Sequence, residues 1–588
     1  MATTTKQTPI LDRITEPMDL KNMTIGEMET AAQEIRELVM NKVSKVGGHF
    51  GPNLGVVEMT LAFHYVFESP VDKIVWDVSH QSYPHKILTG RKAGFEEGSF
   101  DSVTGYTNPN ESPHDYFNVG HTSTSVSLAV GLAKARDLKN EKGNVVAVIG
   151  DGSLSGGLAY EGFNNGADLD SNLIVVVNDN DMSIDKNYGG IYRNLAELRA
   201  SNGEAANNLF KAFGFDYLYV EDGNDMETMI AAFEKVKDSD HPIVLHVHTE
   251  KGHGYQKATE EKMRYHWRTP FDLASGEAPA GQPGESYNGI LMDYLIEKVD
   301  NEDAPIVAIN AAIPGMFGLS QFQERHPHRY VDVGIAEAHS VTFASALSAG
   351  GARPVVFHSS TFLQRAYDQL THDLALNENP AVIVIGGGTI TKNAATHQGL
   401  FDIPLLSSIP NIKYLAPTSA EELVAMMDWA LTQKEGPVAV RLSAHGVIHR
   451  PTETIDYAKP TFEQLIEGSK VAILALGGFI GLGGSVQEAL AAKDINATLI
   501  NPRFITNYDE EMLENLKANH DLVITLEDGS IEGGFGEKIA RYYGGSNMKV
   551  LNFGAHKEFT DNVSTADLYE RYHLTPELIV EDILKTLA

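Results

Sequence analysis

Two polar clusters point to chemistry. The apolar run Asn144-Val-Val-Ala-Val-Ile149 gives way to Gly150-Asp151-Gly152-Ser153, and the next run, Leu173-Ile-Val-Val-Val177, gives way to Asn178-Asp179-Asn180. Side-chain oxygens at the carboxyl ends of buried strands lie where open α/β sheets place their ligands. Asp151 and Asn180 can share one hard cation, since magnesium takes few protein oxygens and keeps phosphate and water for the rest. The glycines beside Asp151 let backbone N–H groups approach a diphosphate at a helix start. Alone, Gly-Asp-Gly is a common tight turn and Asn-Asp-Asn a polar loop; the pairing at this spacing favours a diphosphate and metal site.

Histidine is the second source of reactivity. The chain has 22 histidines and no cysteine. Imidazoles can move protons near neutral pH. The lack of cysteine removes disulfides, thiol nucleophiles, cysteine-based zinc sites and iron–sulfur ligation. No His-Glu-x-x-His spacing marks a zinc hydrolase.

These residues need a scaffold, and the sequence spells one out. Short continuous apolar runs recur, also at Ile243–Val247, Ala381–Ile385 and Val471–Leu476, most of them followed by a turn and a helical pattern. Such runs suit strands buried on both faces of parallel, helix-covered sheets, so the fold class is α/β. A Gly/Pro-rich stretch at Ala274–Gly284 and a polar, proline-containing one at Arg450–Pro460 predict three domains, 1–280, 281–455 and 456–588. No fixed-period repeat or low-complexity tract interrupts them. The 588 residues are 42% hydrophobic and 21% charged, ordinary globular values, and carry a formal charge of −33. That charge repels nucleic acid and anionic lipid. Met1 to Leu20 has no signal-type apolar run and no later stretch approaches 18 uninterrupted apolar residues, so a cytoplasmic protein without membrane spans is expected.

Further motifs follow in order: Gly47-Gly-His49-Phe-Gly51, Trp76-Asp77-Val-Ser-His80-Gln81, Gly120-His121-Thr-Ser123 and Lys251-Gly-His-Gly-Tyr255 with His266 downstream. They continue through Asp332-Val-Gly-Ile-Ala-Glu337, Ser360-Thr-Phe362-Leu-Gln-Arg365 and Thr396-His397-Gln-Gly399, and Gly533-Gly-Phe-Gly536 lies in the third domain. Read as a set, these motifs resemble the 1-deoxy-D-xylulose-5-phosphate synthases of the thiamine diphosphate-dependent transketolase superfamily. The resemblance implies thiamine diphosphate with Mg2+ held by Asp151, Asn180 and the Met182 carbonyl. It implies that Glu337 hydrogen-bonds N1′ of the aminopyrimidine and that Phe362 stacks on that ring. His49, His80, His266 and His397 would act on the substrates. His80, Gly120, His121, Ser123, Gly150, Gly152, Ser153, Lys251 and Arg365 would touch the cofactor. His85, His253, His339, His358 and His445 are weaker candidates. A homodimer is implied, and so is a transferase of isoprenoid biosynthesis that decarboxylates pyruvate and joins the two-carbon unit to glyceraldehyde 3-phosphate.

The sequence departs from that pattern where the acceptor phosphate is gripped. An Asp-Arg-Ala-Gly segment is replaced by Ile385-Gly386-Gly387-Gly388, and a Tyr-Pro-Arg-Gly segment by Leu442-Ser443-Ala444-His445 after a retained Arg441. Ser359 stands for a tyrosine and Asn393 for an aspartate, and the loop after Met182 is short. Charge-assisted contacts to phosphate contribute roughly 1.5–3 kcal/mol each, so their loss weighs on acceptor affinity. Two further readings therefore stand beside the synthase: an enzyme of transketolase or acyloin type with a different, unphosphorylated acceptor, and a catalytically silent dimer that binds thiamine diphosphate.

Overall fold

A computed structural model describes residues 9–184, 186–279, 284–302, 304–453 and 455–588. The chain divides into two compact units, Met1–Gln282 and Pro283–Ala588. The expected boundary at 280/281 lies outside the described residues.

The first unit is built on five parallel strands, β1 Lys73–Trp76, β2 Val145–Gly150, β3 Leu173–Asp179, β4 Asp216–Val220 and β5 Pro242–His248, in the order β1-β2-β3-β5-β4. Their continuous apolar runs feed two cores. Val146, Val148, Ile174 and Val176 enter one, while Val145, Ala147, Val175 and Val177 enter the other. Alternate side chains of a strand point to opposite faces, so a sheet covered on both sides needs apolar residues at every position. Helices α1 Ser125–Leu138 and α2 Gly157–Gly166 supply Val126, Ala129, Ala159 and Phe163 to the second core. Asp151 and Asn180 stand immediately past the ends of the paired strands β2 and β3.

The second unit contains two sheets. Six parallel strands, β6 Ile306–Asn310, β7 Tyr330–Asp332, β8 Arg353–Ser359, β9 Val382–Gly386, β10 Lys413–Leu415 and β11 Val438–Arg441, run in the order β10-β11-β9-β8-β6-β7. Five more, β12 Glu463–Ile466, β13 Lys470–Ala475, β14 Thr498–Asn501, β15 His520–Ser530 and β16 Lys549–Ala555, run in the order β12-β14-β13-β15-β16, with β12 antiparallel. The division expected at 455/456 falls between these sheets. They nonetheless share a core, in which Ile309, Val356 and Ile383 of the first join Ala472, Leu474 and Val523 of the second. Helix α3, Glu337–Ala349, lies on the six-stranded sheet, and α4, Phe535–Tyr543, on the five-stranded one. Among the described residues no helix is long and apolar enough to cross a membrane.

Candidate active site

The first unit assembles a cation-seeking end and a histidine cluster. Asp151 is buried, and its Oδ2 accepts a 2.7 Å hydrogen bond from Asn187 Nδ2. Burial, and after it the carboxylate of Asp179, pushes Asp151 up to about 7. Asp179 itself is buried, yet His246 at 2.8 Å and Arg199 at 2.5 Å hold it below its ordinary value. For Asp151 the Asn187 amide and then Lys251 oppose the rise without cancelling it. Among the described residues, Asn180 Oδ1 and Asn187 Oδ1 are buried acceptors with no hydrogen-bond donor. A buried carboxylate past one strand end and an orphaned amide oxygen past the next fit a hard cation, which supplies the positive charge that both seek. Lys251 is buried nearby, donating to the Ser183 carbonyl at 2.6 Å, and burial pulls its ammonium down to about 7.

The two glycines flanking Asp151 have different jobs. A side chain at Gly150 would meet nothing within 4 Å, which leaves that backbone open to a ligand. At Gly152 a Cβ would lie 2.6 Å from Ser183 Oγ, so this glycine lets two loops close on each other. The Gly120–Ser125 loop is moored by Asp77, a fully buried carboxylate that accepts from Ser123 N at 2.8 Å and Ser125 N at 3.0 Å. Ser123 Oγ then donates to the Ser153 carbonyl at 2.7 Å, tying this loop to the Gly-Asp-Gly turn.

His49, His80 and His266, distant in sequence, meet. Ring centroids are 4.9 Å apart for His49 and His80, 5.4 Å for His80 and His266, and 5.6 Å for His49 and His266. A two-residue ribbon pairs Gly48–His49 with Trp267–Arg268 and sets the first against the last. Asn53, fully buried, clips the other junction by donating to the carbonyls of His49 at 3.0 Å and His80 at 2.8 Å while its Oδ1 accepts from Tyr83 N. Burial, then Lys251, pulls the His266 imidazole well below its ordinary value, so the ring is neutral and acts as a donor or acceptor rather than a cation.

The second unit holds the remaining candidates. Glu337 opens α3 and is buried, with Arg365 NH1 3.1 Å from its Oε2. Ser340 Oγ donates to the Glu337 carbonyl at 2.6 Å and stands 2.9 Å from His358 Nε2, so His358 buttresses the helix start. Phe362 and His397 meet edge to face at 5.6 Å. Gly386, Gly387 and Gly388 are packed by Phe317, Met316 and the Arg441 guanidinium respectively. Arg441 is committed within the fold: its Nε donates to Asp402 at 2.7 Å and its NH2 to the Asp528 carbonyl at 2.7 Å. His445 Nε2 lies 2.9 Å from Asp528 Oδ2. Among the other weaker candidates, His85 is locked between His64 and Asp115, His253 pairs with Glu250 and His339 stacks on Phe343.

Family comparisons cover almost the whole of this framework. The model of the family described as 1-deoxy-D-xylulose-5-phosphate synthase matches residues 11–206 and 201–249, the transketolase pyrimidine binding domain matches 292–446, and the transketolase C-terminal domain matches 461–579. The 1-deoxy-D-xylulose-5-phosphate synthase of Symbiobacterium thermophilum is 40% identical over 97% of this chain and 93% of its own. The chain belongs to the 1-deoxy-D-xylulose-5-phosphate synthase family. Another such synthase, from Carboxydothermus hydrogenoformans, is 39% identical over 97% of this chain and 98% of its own. A solved transketolase from Campylobacter jejuni is similar at 18% identity with a TM-score of 0.43, over 96% of this chain and 100% of that one.

Membership in the synthase family implies thiamine diphosphate as the cofactor. Sequence reasoning missed Asn53 and Asn187, which touch the candidate residues rather than carrying a motif of their own, and it placed Asp77 in a motif without giving it the mooring role seen here. Asn187 left the most visible trace, an amide in the short loop after Met182.

Proposed function

We propose that the chain is a thiamine diphosphate-dependent transferase that decarboxylates pyruvate and condenses the two-carbon unit with glyceraldehyde 3-phosphate, yielding 1-deoxy-D-xylulose 5-phosphate for isoprenoid biosynthesis. The observation that carries the reading is the buried Asp151 with the unmet oxygens of Asn180 and Asn187 at the strand ends of a chain from this family. When bound, thiamine diphosphate supplies a nucleophilic thiazolium carbon and an electron sink for the decarboxylation.

Asp151, Asn180 and the Met182 carbonyl hold Mg2+, with Gly120, His121, Ser123, Gly150, Gly152, Ser153 and Lys251 around the diphosphate. Glu337 holds a proton at N1′ of the aminopyrimidine, and Arg365 keeps that carboxylate in place. Phe362 presents a flat apolar face to the same ring. His49, His80 and the neutral imidazole of His266 orient the pyruvate carboxylate and exclude water, and His397 serves the aldehyde. Because Arg441 is spent on Asp402 and glycines occupy 386–388, other groups meet the acceptor phosphate. The three stretches 1–280, 281–455 and 456–588 act as diphosphate-binding, pyrimidine-binding and C-terminal domains of a cytoplasmic homodimer.

The test is calorimetric titration of thiamine diphosphate with Mg2+, followed by carbon dioxide release from pyruvate with and without glyceraldehyde 3-phosphate. Saturable uptake and aldehyde-stimulated release are expected. Absence of uptake would remove the cofactor assignment; uptake without release from pyruvate would leave a silent binder.

A further inference from the structure

The loop that carries His397 leaves β9 through three glycines and returns at Gly399, where Thr389 and Gly399 form an isolated antiparallel bridge. Its one regular turn is Ala395–His397. A loop with glycines at both ends has much backbone freedom to lose, so something outside it must fix its shape. That fixing comes from the C-terminal stretch. Ile390 N donates to Asp528 Oδ1 at 2.7 Å, Lys392 N to Thr565 Oγ1 at 3.1 Å and Ala395 N to Asp561 Oδ1 at 3.2 Å. Asn562 N donates to the Asn393 carbonyl at 2.8 Å, and Gln398 Nε2 to the Thr560 carbonyl at 2.6 Å and its hydroxyl at 2.8 Å.

The contacts lead to the imidazole by short routes. Asn393, gripped by Asn562, donates its Nδ2 to the His397 carbonyl at 2.6 Å, and Thr396 Oγ1 stands 2.9 Å from His397 Nδ1. We propose that Thr560–Thr565 is a positioning segment through which the C-terminal domain holds His397 beside Phe362 for the step that consumes the aldehyde. The inference rests on the assignment of His397 to the active site. It gives this domain a part in carboligation, although none of the candidate catalytic residues lies in it. Asn562 is exposed and Asp561 half-buried, so these bonds compete with water and set a position more than they build a core.

The test is a steady-state comparison of four proteins: the parent, Asp561→Ala/Thr565→Val, His397→Ala, and the combination of all three substitutions. In the anchor variant, kcat/KM for the aldehyde should fall roughly tenfold, the scale of two lost hydrogen bonds. Thiamine diphosphate affinity by calorimetry and the aldehyde-independent oxidation of pyruvate by ferricyanide should stay within about twofold. Added to His397→Ala, the anchor substitutions should cost nothing further, because both act through one ring. Asp561→Asn and Thr565→Ser, which keep the accepting oxygens, should restore the parent value and also serve if the anchor variant folds poorly. The proposal is overturned if the anchor variant keeps its aldehyde kcat/KM while His397→Ala loses it, or if the two losses multiply. An unaffected His397→Ala would show instead that the site assignment is wrong, and the anchor role would fall with it.

Discussion

Asp151 in the first unit and Glu527 in the second are both buried carboxylates, and both are pushed up to about 7, chiefly by that burial. Their surroundings are opposite. Glu527 accepts from Phe535 N and Gly536 N, each at 2.8 Å, at the first turn of α4, and a Cβ at Gly534 would collide with its oxygens. The Gly533-Gly-Phe-Gly536 motif is therefore the cover of an internal helix cap, already filled by the protein's own carboxyl oxygens. Asp151 is only partly met: it accepts from Asn187, but the Asp179 carboxylate raises its pKa further, and Asn180 Oδ1 past the neighbouring strand lacks a donor. A perturbed carboxylate marks a ligand site when its neighbours share its need, and a structural one when they satisfy it. Glu337 lies between these cases, buried but matched by Arg365.

Substituting the three carboxylates separates the cases, and the largest effect is expected at Glu337. Glu337→Gln keeps the shape and removes the proton-holding charge, so turnover should drop by about 10²–10⁴-fold, the usual weight of an acid–base group, with thiamine diphosphate affinity within a few fold of the parent. Single-turnover carbon dioxide release checks this, and a variant that turns over normally would strip Glu337 of its role. Asp151→Asn should abolish a charge that the cation needs and cut Mg2+-dependent cofactor uptake by about 100-fold or more, while Asn187→Ala, which only orients Asp151, should cost about tenfold. Calorimetry at fixed thiamine diphosphate and varied Mg2+ reads both. Equal effects would mean that Asn187 is itself a ligand.

The Asp151 side of this contrast was legible in the sequence, and the Glu527 side was not. The runs ending at Ile149 and Val177 became β2 and β3, because a strand covered on both faces must be apolar throughout, and that pattern is local. The meeting of His49, His80 and His266 was readable only through resemblance, since the ribbon that joins the first to the last spans over 200 residues. Asn53 was invisible for a different reason. A buried amide that binds main-chain carbonyls has no spacing rule, and its value lies in partners brought by the fold. The shared core of the two sheets in the second unit was likewise beyond a reading of composition, which saw only the polar connection between them.

Asn53 predicts a smaller effect than the charged residues. Asn53→Ala frees the backbones of His49 and His80 and leaves their carbonyls short of a donor, at a stability cost of about 1–3 kcal/mol. Displacement of two site histidines should lower kcat/KM for pyruvate by about 10-fold, with Mg2+ and cofactor affinity unchanged. An equal loss for pyruvate and for Mg2+ would show that Asn53 supports the whole unit rather than the histidine junction.

The smallest effect on activity is expected at Glu527, where the readout is stability. Its folded pKa of about 7 exceeds the unfolded value of 4.5, so its favourable contribution is complete below pH 4.5 and is lost as pH rises through 7. The loss is about 3 kcal/mol, from roughly 1.4 kcal/mol per pKa unit. Glu527→Gln cannot ionise, so denaturant melts of the variant should lack this fall between pH 5 and 8 while cofactor binding is retained. A variant with the parent's pH slope would assign the titration to another group; a variant that loses Mg2+ would erase the distinction between a filled helix cap and an open cation site.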